Sequence, residues 1–210
     1  MTERVDELPL AYITLGGAGS GKSTLSQRLS AETGAVYLDK DTVAGPLVRV
    51  ALDALGQDPS DRESNDVYVT AIMPAEYETL FAAAGSNLVL GHSVVLDAPF
   101  IAYLDDPDFL SRSIARAGWP PSRVRVIRVR ASPEVVRRRL IERGSERDRA
   151  KLADWDGYWA RLGVLACRWE GAEILDFWNE DADALDRIEE VAVGAPSVER
   201  GTGEQSAAPA

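Results

Sequence analysis

Cysteine and histidine occur once each, as Cys167 and His92. A lone thiol excludes an internal disulfide, and one thiol with one imidazole provides no ligand set for zinc. No apolar run approaches the ~18 residues a membrane span needs, and the opening MTERVDELP is too polar for a secretory signal. Positive charge is also scarce, with 23 Lys and Arg against 34 Asp and Glu and a formal charge of −11. Such a surface repels phosphate backbones and anionic lipid, so neither nucleic acid nor a membrane is an expected partner. The expectation is a cytoplasmic protein in a reducing compartment.

What the chain does have is alternation. Apolar bursts at LAYITL (10–15), AVYLD (35–39), SVVLD (93–97), VRVIRV (124–129) and AEILDF (172–177) read as buried strands. Helical patterns lie between them, near 22–32, 42–55, 74–90, 106–117, 133–143, 150–169 and 181–192. Strands that are apolar on both faces and alternate with helices predict a three-layer α/β fold on a five-stranded parallel sheet. The polar, breaker-rich GQDPSDRESND (56–66) reads as a loop. Residues 194–210 lack periodicity and large apolar side chains, so the expectation is one domain over 1–193 and a disordered tail.

The first strand runs into Gly16-Gly17-Ala18-Gly19-Ser20-Gly21-Lys22-Ser23-Thr24, which satisfies G-x-x-x-x-G-K-[ST] in full. Glycines let the backbone wrap closely, with N–H groups directed at phosphate oxygens. The positive end of the following helix adds to the attraction. Lys22 supplies a cation for the terminal phosphates, and the Ser23 hydroxyl reaches magnesium. The dinucleotide spacing G-x-G-x-x-G is absent from this loop, so the expected ligands are ATP and Mg2+.

The second strand ends in YLDKDT, with Asp39 and Asp41 two residues apart. An extended backbone would direct both carboxylates to one side, at the carboxyl end of a strand beside the cradle. One could support the metal hydration shell and the other accept the proton of an attacking hydroxyl. The alternative is a solvated turn capping the next helix.

The cradle followed by YLDKD resembles the small P-loop kinases typified by shikimate kinase and gluconate kinase, among the AAA-type ATP-binding proteins. Chloramphenicol phosphotransferase and the zeta-toxin kinases are more distant members of the group. The resemblance implies a metal role for Asp39 and an acceptor-facing base role for Asp41. Asp97, ending SVVLD, resembles a Walker-B carboxylate with metal support as its role, the alternative being a turn cap. His92 reads as a surface or hinge residue and not as a catalyst.

ASPEVVRRRLIERGSERDR carries six arginines, at 137, 138, 139, 143, 147 and 149. Ser132 and Pro133 suit a helix start. At 100° per residue Val136 and Leu140 form the buried stripe, Arg139 and Arg143 flank it, and Arg138 faces solvent. Gly144-Ser145 then opens a brief lid. The resemblance implies that Arg139 stacks on adenine and Arg147 clamps phosphate from the lid, with Arg143 in reserve as a nucleotide contact. A guanidinium suits both tasks. Trp155, Tyr158 and Trp159 read as packing at the lid base.

Between Asp41 and Asp97 there are only two arginines, Arg49 and Arg62, and no lysine. An anionic acceptor would need paired cations, so the expected acceptor is a neutral or cationic hydroxyl compound, with Arg49 able to grip at most one anionic group. The resulting expectation is an ATP-dependent phosphotransferase acting on a small-molecule hydroxyl, with Lys22, Asp41 and Arg147 as its catalytic groups. Alternatives are an ATP-driven switch acting on a protein partner, or a toxin-type or polynucleotide kinase.

Overall fold

A computed structural model describes residues 8–58, 65–162, 166–181 and 183–192. The sheet is built from β1 (Leu10–Leu15), β2 (Val36–Asp39), β3 (Val94–Asp97), β4 (Arg123–Arg130) and β5 (Glu173–Trp178). Its order is β2-β3-β1-β4-β5, and every pairing is parallel.

Alternation along the strands explains the layers. Ala11, Ile13 and Leu15 enter one core with Val94, Leu96 and Val126, under Tyr77, Leu80 and Phe81 of α3 (Met73–Val89). Leu10 and Tyr12 face the opposite core, with Leu25 and Leu29 of α1 (Lys22–Thr33) and Ile188 and Val191 near the end of the described chain. Successive side chains point to opposite sides, so a central strand apolar at every position is covered on both. β1 is buried throughout.

The remaining helices are α2 (Lys40–Ala54), α4 (Phe109–Ala117), α5 (Pro133–Arg143), α6 (Arg149–Ala153), α7 (Trp155–Leu162) and α8 (Glu189–Ala192). Two helical expectations need correction. The pattern over 150–169 forms two short helices, because Asp154 leaves the helical region between them at φ −117°, ψ 65°. The stretch 181–192 forms a 3-10 turn at Ala184–Arg187 and only the four residues of α8. A wide π-helical turn, Tyr68–Ile72, precedes α3 and has no counterpart in the helical pattern. Part of the expected 56–66 loop and the whole expected tail lie outside the described residues.

The parallel registers align the strand ends. Asp39 is opposite Asp97 across β2 and β3, and Asp97 is opposite Thr14 across β3 and β1. The carboxyl ends of three neighbouring strands therefore deliver two acids next to the loop that leaves β1.

Candidate active site

The cradle is shaped by backbone first. Gly19 and Gly21 both adopt positive φ, 83° and 85°, and Gly21 is the N-cap of α1. Its carbonyls are gripped from outside. The Ser20 carbonyl accepts from Asn179 Nδ2 at 2.8 Å and from Arg139 Nη1 at 3.3 Å, and the Ala18 carbonyl accepts from the Tyr158 hydroxyl at 3.4 Å. In a planar trans peptide the C=O and the next N–H point oppositely. Holding these carbonyls outward turns the N–H groups of Gly21 and Gly19 the other way, as a phosphate-binding loop requires. Ser20 Oγ is buried without a hydrogen-bond partner among the described residues. An orphaned donor in a glycine cradle fits a phosphate group.

Lys22 opens α1 and forms an ion pair with Asp97 Oδ1. Asp97 is fully buried, and its Oδ2 accepts from the Tyr37 hydroxyl at 2.8 Å. Burial pushes the Lys22 ammonium down to about 8, against the opposing pull of Asp39 and Asp41, while Lys40 adds to the lowering. Both aspartates of YLDKD therefore act on the cradle lysine.

They do so by a route different from the extended pair expected. β2 stops at Asp39, which is the N-cap of α2 and accepts from Thr42 N at 2.9 Å and Thr42 Oγ1 at 2.6 Å. Asp41 consequently lies in the first helical turn, where strand alternation does not apply. Its side chain is 59% exposed and one oxygen is 3.2 Å from Lys40 Nζ. Ser23 and Thr24 are exposed in the first turn of α1, and Arg49 is exposed on α2.

Among the described residues no three His, Cys, Asp or Glu side chains gather into a metal-binding group. Magnesium is commonly held by one or two protein oxygens and by the phosphates themselves. A hydroxyl at Ser23 with carboxylates at Asp39 and Asp97 is a donor set of that kind.

On α5, Arg138 points to solvent 3.9 Å from Glu142, whereas Arg139 turns in to the cradle. Arg143 donates from Nε to Asp148 Oδ2 at 2.8 Å, spanning the break at Gly144, whose φ is 60°. The reserve nucleotide arginine is thus engaged within the lid stem. Arg147 lies in the 3-10 turn Glu146–Asp148, and its side chain is outside the described residues. Ser132 occupies the N-cap position of α5, but its hydroxyl donates to Glu180 Oε2 at 2.8 Å instead of capping the helix. Tyr158 packs with Val135, Val136 and Leu140, and it lines a cleft of about 240 Å3 beside Gly17 and Ala18.

Four residues of this site carry little sequence signal. Asn179 lies outside any motif, and Tyr37 reads as an ordinary strand residue. Lys40 and Glu76 are the others. Lys40 sits between two acids, which suggests a surface position, yet it is buried. Its ammonium is 3.0 Å from Glu76 Oε1, and Glu76 Oε2 accepts from the Tyr68 hydroxyl at 2.6 Å.

The lowered position of Lys22 leads to a pH-dependent prediction. Triphosphate favours the ammonium form, so ATP binding above pH 8 should take up a proton. Affinity should fall as pH rises through 8, to about one tenth of its neutral value by pH 9. Calorimetry in buffers of different ionisation enthalpy measures the uptake, and Lys22→Met should abolish it.

A family model described as an AAA domain matches residues 12–165. Among curated proteins, none matches the sequence significantly. Among solved structures, the chain is similar to a candidate kinase from Chloroflexus aurantiacus J-10-fl, with 26% identity, 87% of this chain and 96% of that chain covered, and a TM-score of 0.55. It is also similar in fold to the APS kinase of Mycobacterium tuberculosis solved with AMPPNP and APS, with 19% identity, 88% and 95% coverage, and a TM-score of 0.51. The chain belongs to the AAA domain family, and its structural neighbours are small P-loop kinases.

Proposed function

We propose that this chain transfers the γ-phosphoryl group of ATP to a hydroxyl of a small neutral or cationic molecule. The observation that carries the reading is the cradle lysine paired with Asp97 at the carboxyl end of the sheet, with the Asp41 carboxylate in the first turn of α2 close enough to act electrostatically on that lysine. A held triphosphate needs such a neighbour to become a donor to an alcohol.

The cradle N–H groups and Lys22 orient the phosphates. Magnesium held near Ser23, Asp39 and Asp97 would neutralise charge on the phosphate oxygens. The acceptor oxygen forms a bond to the γ-phosphorus as the bond to the β,γ-bridging oxygen breaks. The acceptor's proton passes to Asp41, and ADP departs with its new charge facing Lys22. Lid closure over 144–148 excludes water from the reacting centre, and Arg147 is assigned to that lid as a phosphate clamp. Arg139, already at the edge of the cradle, is assigned to the adenine side.

Charge favours an acceptor that is not an anion. Lys40 is taken up by Glu76 and Asp41, leaving Arg49 as the cation offered on the acceptor-side helix α2. The Tyr103 hydroxyl is buried without a hydrogen-bond partner among the described residues, within the influence of Glu76.

The test is a metabolite-pool screen with γ-labelled ATP, comparing the intact chain with Asp41→Asn. A labelled organic product is expected, with its rate of formation lowered about 100-fold by the substitution. Label released only as inorganic phosphate from every pool, or a product rate indifferent to Asp41→Asn, overturns the reading. A strong preference for dianionic acceptors would overturn the charge assignment alone.

A further inference from the structure

We propose that Lys40 is a positioning residue: anchored on Glu76 of α3, its buried ammonium fixes the Asp41 carboxylate in the orientation used at the cradle. The inference rests on the reading of Asp41 as the group that receives the acceptor's proton.

The chain has three lysines, Lys22, Lys40 and Lys151, and two of them lie in this site. The Lys40 side chain is 7% exposed and that of Glu76 only 1%. Withdrawing two ions from water is seldom recovered by their attraction alone, and an apolar pair often packs as well. This ion pair is therefore a poor device for stability by itself. Its consequence is geometric.

Glu76 is the fixed end. It sits in the first turn of α3, and the Tyr68 hydroxyl from the π-helical turn holds its second oxygen. Lys40 is the middle member, rooted in the first residue of α2, 3.0 Å from Glu76 and with its ammonium 5.8 Å from the centre of the Tyr77 ring. Asp41 is the free end, more than half exposed, with Lys40 Nζ 3.2 Å from its Oδ1. An exposed aspartate would otherwise sample several rotamers. A cation whose own place is set from α3 restricts that choice. It engages Oδ1 and leaves Oδ2 outside that contact.

The chain of contacts also joins α2 to α3, the two helices flanking the expected acceptor region. A shift of α3 would reach Asp41 through Glu76 and Lys40. Lys40 does not touch the reacting atoms in this reading, and it acts through its neighbour.

The test uses ATP hydrolysis by the full chain, with water standing in for the acceptor. Lys40→Met should lower kcat about 10-fold with KM for ATP within about twofold, as expected for a misplaced reacting group. Lys40→Arg should recover part of the loss. The double variant Lys40→Met/Asp41→Asn should be no slower than Asp41→Asn alone, because a residue acting only through Asp41 has nothing left to position. If Lys40→Met shows no cooperative melting transition, Glu76→Gln carries the same comparisons, with an expected loss of about threefold.

A second readout does not depend on turnover. The 13C carboxyl resonance of Asp41 at neutral pH should move and broaden in Lys40→Met, or in Glu76→Gln, while that of Asp39 stays in place. Losses that multiply in the double variant, or an Asp41 resonance that does not respond, overturn the proposal. Hydrolysis unaffected by Asp41→Asn would remove Asp41 as proton acceptor, and the resonance would then decide the contact with Lys40 by itself.

Discussion

Lys22→Ala is expected to lower kcat/KM for ATP turnover about 10³-fold, a larger loss than that expected from Asp41→Asn or Lys40→Met. Two effects combine. The ammonium neutralises charge that grows on the phosphates during transfer, and a water-excluded site makes that contribution larger than it would be in bulk solvent. Removal also strands Asp97, which is fully buried and keeps the Tyr37 hydroxyl as its side-chain partner among the described residues. The measurement is steady-state turnover with ATP, alongside Lys22→Arg to separate charge from shape. Arginine keeps the charge but presents a planar fork where a compact ammonium now meets Asp97, so it should recover only part of the activity. Wild-type turnover by Lys22→Ala would remove the cradle from the chemistry.

The largest stability loss is expected at Gly21. A side chain there is strained by φ of 85°, and an added Cβ would collide with Asn179 Nδ2. The left-handed conformation costs ~1–2 kcal/mol and the collision a further ~1–3 kcal/mol, so Gly21→Ala should destabilise by about 3 kcal/mol. For a chain of this size that corresponds to a fall in Tm of roughly 10 °C. Scanning calorimetry measures it. Gly34→Ala is the control, because it shares positive φ, at 71°, but has open space around the missing Cβ. It should lose only the conformational part. Equal losses at the two positions would show that Asn179 yields freely.

Much of the fold is readable from the chain because the signals are local. Strand boundaries follow from apolar bursts closed by turn residues, and β1 occupies Leu10–Leu15 as its pattern predicts. The helix Pro133–Arg143 likewise starts at a proline and stops at a left-handed glycine. The cradle is legible because its spacing is contiguous. What escapes depends on distance along the chain. Asn179 reaches the Ser20 carbonyl across 159 residues, and Glu76 reaches Lys40 across 36. No local pattern specifies such a partner. The expected extended pair at Asp39 and Asp41 misplaces the junction for a different reason. Apolar periodicity does not mark where a strand yields to a helix when the capping residue is itself the last residue of the strand.

The family match ends at residue 165, whereas the grip on the Ser20 carbonyl comes from position 179, just past β5. Trimming the protein to its matched span would discard an edge strand and, with it, the amide that keeps the Gly21 N–H turned inward. Such a fragment would retain every letter of the phosphate motif and lack part of the scaffold that gives those letters their shape. Expression boundaries for this protein should therefore follow the sheet.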